Sequence, residues 1–123
     1  MGHRLHSATK YEVKYDTTGR FNWAQNYINY IIELLAEGDV YYDQDEICYS
    51  DRVEANREHL IANLERIITP DPEWENQEAL DYEIKKMEED KECEINRCYL
   101  YVSLQQLIED ADPNNEYVYF LWF

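Results

Sequence analysis

Glycine is scarce in this chain: three residues in 123, at positions 2, 19 and 38. Glycines so few and so far apart exclude a Gly-rich phosphate loop and the nucleotide-binding folds that depend on one. The three cysteines, Cys48, Cys93 and Cys98, are odd in number, which suits reduced thiols better than a disulfide framework. No stretch approaches the roughly twenty consecutive apolar residues that a membrane span needs. The opening residues, MGHRLHSATKYEVKYD, hold no apolar segment followed by a cleavage site, so a secretory signal is not expected and the expected location is cytoplasmic. Scarcest of all is positive charge. Eleven Lys and Arg stand against 27 Asp and Glu, a net charge of −16. Such a chain is repelled by nucleic acid, whose binding rests on neutralising phosphates, and by an anionic membrane surface. The charged partner that remains is a basic protein surface.

Against these absences stands a chain that is 45% apolar and 15% aromatic. That is enough apolar surface to offset the entropy of ordering despite the charge, and the length suits one domain over residues 1–123. Twelve tyrosines outnumber three phenylalanines. Tyrosine tolerates half-burial with its hydroxyl wet, and it is enriched where proteins meet. The acids fall in three blocks: residues 37–51, residues 71–94, and the cluster Glu109, Asp110, Asp112 and Glu116. The segments between are close to neutral.

Lys10 to Tyr15 alternates charged and apolar residues, the period of a strand, and Thr17-Thr18-Gly19 supplies a turn. Asn22 and Gln25 have the spacing of a helix cap and its third position. Ala24, Ile28, Ile31 and Leu35 then form a helical stripe, widened by Trp23, Tyr27, Tyr30 and Leu34, with Gly38 placed to end it. Asp39 to Ser50 has no clean period and reads as a loop. Ser50 or Asp51 is positioned to cap a second helix with a stripe of Val53, Leu60, Ile61, Leu64 and Ile68. A rigid Pro70-Asp71-Pro72 turn follows, and then a third helix from about Glu73. Arg97 to Val102 alternates like a strand, Ser103 and Gln106 have capping-box spacing, and a short helix over 104–110 leads to a final strand over 117–123. That last strand is apolar on both faces, so it belongs in the middle of its sheet. The expected fold is therefore α+β: a small mixed sheet of about three strands, an N-terminal strand plus a C-terminal β-α-β unit with parallel strands, packed with three inserted helices.

No catalytic constellation stands above background. Pro70-Asp71 followed by Glu83-Ile84-Lys85 copies the spacing of the metal-dependent nuclease pattern PD…(D/E)xK. That pattern needs its second half on a strand, whereas Leu80, Ile84 and Met87 set a helical period here. Asp43-Gln44-Asp45-Glu46 lacks the glycine and the twelfth-position glutamate of a calcium loop, and reads as a solvated acidic loop. Cys93 and Cys98 with His3 and His6 could furnish a zinc site only if the N-terminal strand lay beside a strand holding Cys98. His59 has no orienting partner legible in sequence that would make it the base of a cysteine nucleophile. Tyr99, Tyr101, Tyr117 and Tyr119 would line one sheet face if their strands were adjacent. That face would pack under helices or meet a protein. No cofactor and no metal are expected.

The stretch DPEWENQEALDYEIKKMEEDKECE, residues 71–94, holds eleven acids and three lysines. As a helix, nine acids over residues 73–92 span about 30 Å, one per roughly 3 Å, near the 3.4 Å between phosphates along a DNA strand. Lys85, Lys86 and Lys91 follow acids at ion-pair spacing, however, and the acids spread around the helix rather than forming a row. The case for phosphate imitation therefore rests on the whole-chain charge. In composition the chain resembles the small acidic inhibitors with which phages and mobile elements block nucleases and DNA-binding proteins. The expected function is a non-enzymatic, DNA-mimic-type binding protein that occupies the basic, nucleic-acid-binding surface of a partner. Its expected contacts are Asp39, Asp43, Asp45 and Glu46 in the acidic loop and Glu78, Asp81, Glu88, Glu89 and Glu92 along the third helix. The alternative is an assembly module that binds through an aromatic surface, with the charge serving solubility. More remote is a metal-dependent hydrolase built on Asp71, Glu83 and Lys85.

Overall fold

Alternation organises the sheet. In the strand Tyr117–Trp122 (β5), Val118, Phe120 and Trp122 are buried while Tyr117, Tyr119 and Leu121 are half-buried, as the two-residue period of a strand requires. The computed structural model describes residues 5–8, 13–14, 21, 24–45 and 50–122. Its other strands are β1 (Leu5–Ala8), β2 (Val13–Lys14), β3 (Val40–Asp45) and β4 (Ser50–Asn56), and the sheet order is β2-β1-β5-β4-β3. The helices are α1 (Gln25–Leu35), α2 (Arg57–Asn63), α3 (Gln77–Glu89) and α4 (Arg97–Asp110), with a 3-10 helix over Leu64–Ile67.

The fold is α+β, with β5 in the centre of its sheet. The mixed sheet is corrected, because the described pairings all run antiparallel. So is the β-α-β unit: residues 97–102 belong to α4, not to a strand. Their short alternation yields to the longer stripe Leu100, Ser103, Leu104, Leu107 and Ile108, which is buried at helical spacing, because burying a long apolar face outweighs local strand preference. Asn96 caps this helix, its Oδ1 accepting from the Tyr99 amide at 2.8 Å, and Ser103 lies mid-helix rather than at a cap. The loop expected over residues 39–50 is also corrected where it is described, since β3 and the start of β4 occupy Val40–Asp45 and Ser50; residues 46–49 lie outside the described residues. Tyr41 and Tyr42 point to opposite faces and both stay more than half exposed, which erases the polar–apolar alternation by which strands are recognised. The second helix starts at Arg57, where Asn56 Oδ1 accepts from the His59 amide at 3.1 Å; Val53 is a buried strand residue. The third begins four residues later than expected, at Gln77.

Of the N-terminal readings, Val13 and Lys14 are strand β2, whereas the rest of the 10–15 strand, the 17–19 turn, and Asn22 and Trp23 lie outside the described residues. His6 lies within β1.

Helix α1 holds the layers together. Ile28, Ile31, Ile32 and Leu35 are buried, and the helix packs on the sheet, on α2 and on α3, so the wide stripe read from sequence reflects burial on more than one side. Polar side chains tie its flank to the sheet. Trp122 Nε1 donates to Asn29 at 2.8 Å, Gln25 donates to Asp51 at 2.8 Å, and the Tyr42 hydroxyl donates to Glu33 at 3.0 Å. The helix ends with Glu37 (φ 54°) and Gly38 (φ 81°) in the left-handed region, and the Gly38 amide closes the end on the Glu33 carbonyl at 3.0 Å, the glycine-assisted stop expected there. Carbonyls left over at such an end need donors. Asn63 donates to Leu35 O at 2.8 Å and Asn76 to Leu34 O at 3.1 Å.

Candidate partner-binding surface

The described arginines fix the electrostatics of this surface by pairing within the fold. Arg52 lies 3.1 Å from Asp43 and 3.2 Å from Glu54. Arg57 gives its N–H groups to the Asn115, Ile108 and Asp112 carbonyls beyond and at the end of α4, where the helix dipole favours a cation. Arg66 stacks on Trp74, with 5.0 Å from its guanidinium to the ring centroid, and donates to Asp71 at 2.8 Å and Asn63 at 2.9 Å. Arg97 donates to Ile67 O at 2.8 Å and Asp81 at 2.9 Å. The buried Gln77 links the last two, accepting from the Asp71 amide and donating to Arg66 O and Asp81. Each described arginine is thus a joint between elements.

This wiring sorts the expected contact residues. Asp39 is a structural acceptor: Asn56 donates to it at 2.9 Å and Tyr117 at 3.0 Å. That second bond, with burial behind it, pushes the Tyr117 hydroxyl up to about 12. Asp81 is committed to Arg97 and Gln77. Asp43 is exposed but paired with Arg52 across the β3–β4 ladder, and Glu88 is exposed with Arg97 Nε at 3.9 Å. Glu78, Glu89 and Glu92 face solvent. Asp45 ends β3 opposite Ser50, and Glu46 lies outside the described residues. The two expected groups are therefore not one continuous patch: β3 is the sheet's edge strand, and α3 packs on the far side of α1.

Helix α3 buries Gln77, Leu80, Ile84 and Met87. The line directly opposite reads Glu78, Tyr82, Lys85, Lys86 and Glu89, all exposed. Two lysines on the outermost line, and Lys86 within 3.6 Å of Glu83, make it a mixed-charge face rather than a phosphate-like row.

The nuclease-like triplet does not assemble. Glu83 and Lys85 are helical, Asp71 is held by Arg66 in the turn before α3, and among the described residues no three His, Cys, Asp or Glu side chains group as a cation would need. Cys98 lies exposed on α4 and Cys93 buried in the preceding turn. Burial, reinforced by Asp90, pushes the Cys93 thiol up to about 11. His3 and Cys48 lie outside the described residues. His59 Nδ1 sits 2.7 Å from Glu37 at the end of α1, a partner the sequence did not reveal.

The tyrosine face is split. Tyr99 and Tyr101 ride on α4, while Tyr117 and Tyr119 point from β5 to the sheet face turned away from α1. There Tyr41 meets Tyr117 edge-on, centroids 5.6 Å apart, and Arg52 covers Tyr119 at 5.6 Å.

One concavity went unforeseen. Between α2 with its 3-10 continuation and α4 lies a groove of about 430 Å³, walled by Ile61, Ala62 and Glu65 on one side and Tyr101, Gln105 and Glu109 on the other. Ile61 is 56% exposed, although the sequence stripe placed it in the core. Starting the helix at Arg57 turns Leu60, Asn63 and Ile67 inward instead and leaves Ile61 on the outer wall. An isoleucine between Glu58 and Glu65 on one helical face was the available signal.

No helix among the described residues is long and apolar enough to cross a membrane. No family model, no curated protein and no solved structure matches the chain.

Proposed function

We infer that this chain is a non-enzymatic, cytoplasmic binding protein whose acidic surface occupies a basic, nucleic-acid-binding surface of another protein, in the manner of a DNA-mimic inhibitor. The observation that carries this reading is the disposition of charge. A net −16 is combined, among the described residues, with arginines that are each engaged by carboxylates or carbonyls of the fold, while Glu78, Glu88, Glu89 and Glu92 are exposed. Self-repulsion on this scale opposes compact folding, and a basic partner relieves it. The carboxylates available for contact are Glu78, Glu88, Glu89 and Glu92, with Asp43 on the edge strand; Asp45 and Glu46 join them on the strength of the sequence alone. Asp39 and Asp81 serve the fold first.

The test is capture of partners from the source cells at roughly 50 mM and roughly 500 mM salt, either side of the range over which the Debye length shrinks from above to below 10 Å. The reading expects basic, nucleic-acid-binding proteins that are captured at low salt, lost at high salt, and displaced by added duplex DNA. Capture indifferent to salt would exclude it. The second reading, an assembly module, draws on the exposed Tyr41 beside the half-buried Tyr117 and Tyr119, because aromatic anchors carry much of the energy of protein interfaces. It expects Tyr119→Ala, rather than loss of carboxylates, to abolish capture in a chain that stays folded.

A further inference from the structure

The α2–α4 groove combines an exposed isoleucine, Ile61, with acidic walls. Ile61 supplies open apolar surface above the largely buried Leu64 and Ile108, and Glu65 and Glu109 stand on opposite sides. Glu58, one to two turns before Glu65 on the same outer face, extends the acidic side. Among the described lining residues the one cation, Arg57, donates its guanidinium N–H groups away to three backbone carbonyls rather than to Glu65 or Glu109. From Tyr101 to Glu109 the α4 wall runs about 12 Å, roughly two turns of a facing helix. The volume falls in the lower part of the roughly 300–1,000 Å³ typical of ligand sites.

We propose that this groove docks a basic amphipathic helix of the partner protein, its apolar anchors resting on Ile61 and Ile108 and its flanking lysines or arginines meeting Glu65 and Glu109. This deepens the acidic-surface reading and rests on it: a chain of −16 draws in a basic segment, and the groove gives that segment a register. Helix-in-groove recognition uses this division of labour, apolar anchors for affinity and a charged rim for partner choice.

The probe is a synthetic helical peptide with leucine on one face and lysine on the other. It is compared with one carrying glutamate for lysine and one carrying serine for leucine. Binding is followed by titration and by NMR shifts of the Ile61 and Ile108 methyl groups. The lysine–leucine peptide should bind, shift both methyls, and outcompete the two controls. Because Ile61 is exposed, Ile61→Ser should leave the fold intact while weakening binding about tenfold, the scale set by burying one large apolar side chain. Glu65→Gln with Glu109→Gln should weaken it about fivefold, as expected of rim ion pairs. Ile68→Ser, equally a substitution of an exposed isoleucine but outside the groove, should change little.

Shifts confined to α3 or the sheet edge, with salt-sensitive binding, would overturn the groove while leaving the acidic-surface reading in place. A glutamate peptide that binds as well as the lysine one would overturn the proposal. So would self-association of the chain that Ile61→Ser abolishes, which would make a second copy the occupant. Salt-insensitive capture of partners by the intact chain would instead remove the reading beneath it.

Discussion

Asn63 is 3% exposed and makes three hydrogen bonds. Its amide donates to Leu35 O at 2.8 Å and to Glu37 at 3.3 Å, and its Oδ1 accepts from Arg66 Nε at 2.9 Å. Replacing it with alanine takes this donor from the carbonyl of Leu35, a residue with no exposure. An unsatisfied buried group costs about 1–3 kcal/mol. Glu37 and Arg66 are partly solvated and recover much of their loss from water, so the expected destabilisation is about 2 kcal/mol. For a chain of this length that lowers Tm by about 6–10 °C. The companion Asn76→Ala, which frees a Leu34 carbonyl in a half-exposed setting, should cost about 1 kcal/mol or less. Urea unfolding followed by circular dichroism measures both, and an unchanged slope shows that the unfolded state is not the cause. An Asn63→Ala chain within about 2 °C of the parent, or one less affected than Asn76→Ala, would refute the claim that amide side chains close the end of α1.

Other expectations follow from the same packing. Ile84→Ala, at a site with no exposure, should cost about 2–5 kcal/mol by calorimetry or denaturant titration, whereas Ile61→Ala on the open groove wall should stay within about 0.5 kcal/mol. Alkylation mapped by mass spectrometry near pH 8 should modify Cys98 promptly and Cys93 only on unfolding, because burial raises the Cys93 thiol to about 11 and the thiolate is the reactive form. The Tyr117–Asp39 bond favours protonated tyrosine, raising it from 10.0 to about 12. Its contribution is therefore complete below pH 10 and is lost as pH rises through 12. In ultraviolet titrations, parent minus Tyr117→Phe should show that step, and Asp39→Asn should move it down toward 10; a step that stays in place would show that the bond does not set it.

How much of this was legible depended on the cleanness of each pattern. Helix α1 announced itself because Ile28, Ile31 and Leu35 keep one period over its whole length, and strand β5 because Tyr117 to Phe123 is an unbroken apolar run. Residues 97–102 misled because Cys98, Leu100 and Val102 are apolar at alternate positions inside a helix whose decisive stripe, Leu100, Leu104, Leu107 and Ile108, continues beyond them. Strands β3 and β4 were hidden by the opposite effect. Tyrosines on both faces of β3 satisfy their hydroxyls at Glu33 or pack on Tyr117, and such contacts leave no trace in a hydropathy pattern. The surplus of acid was plain in composition. Its sorting into structural acceptors, Asp39 and Asp81, and exposed carboxylates, Glu78, Glu89 and Glu92, depended on where Arg97, Asn56 and Tyr117 arrive from distant parts of the chain.

The most direct test of the acidic-surface reading is the dissociation constant of a captured partner as a function of sodium chloride, for the parent and for the combined Glu78→Gln, Glu89→Gln and Glu92→Gln variant. The reading predicts that affinity falls steeply with rising salt, that the variant binds more weakly with a shallower salt dependence, and that duplex DNA competes with both. A constant unchanged from roughly 50 to roughly 500 mM salt, where exposed charges become screened, would contradict it.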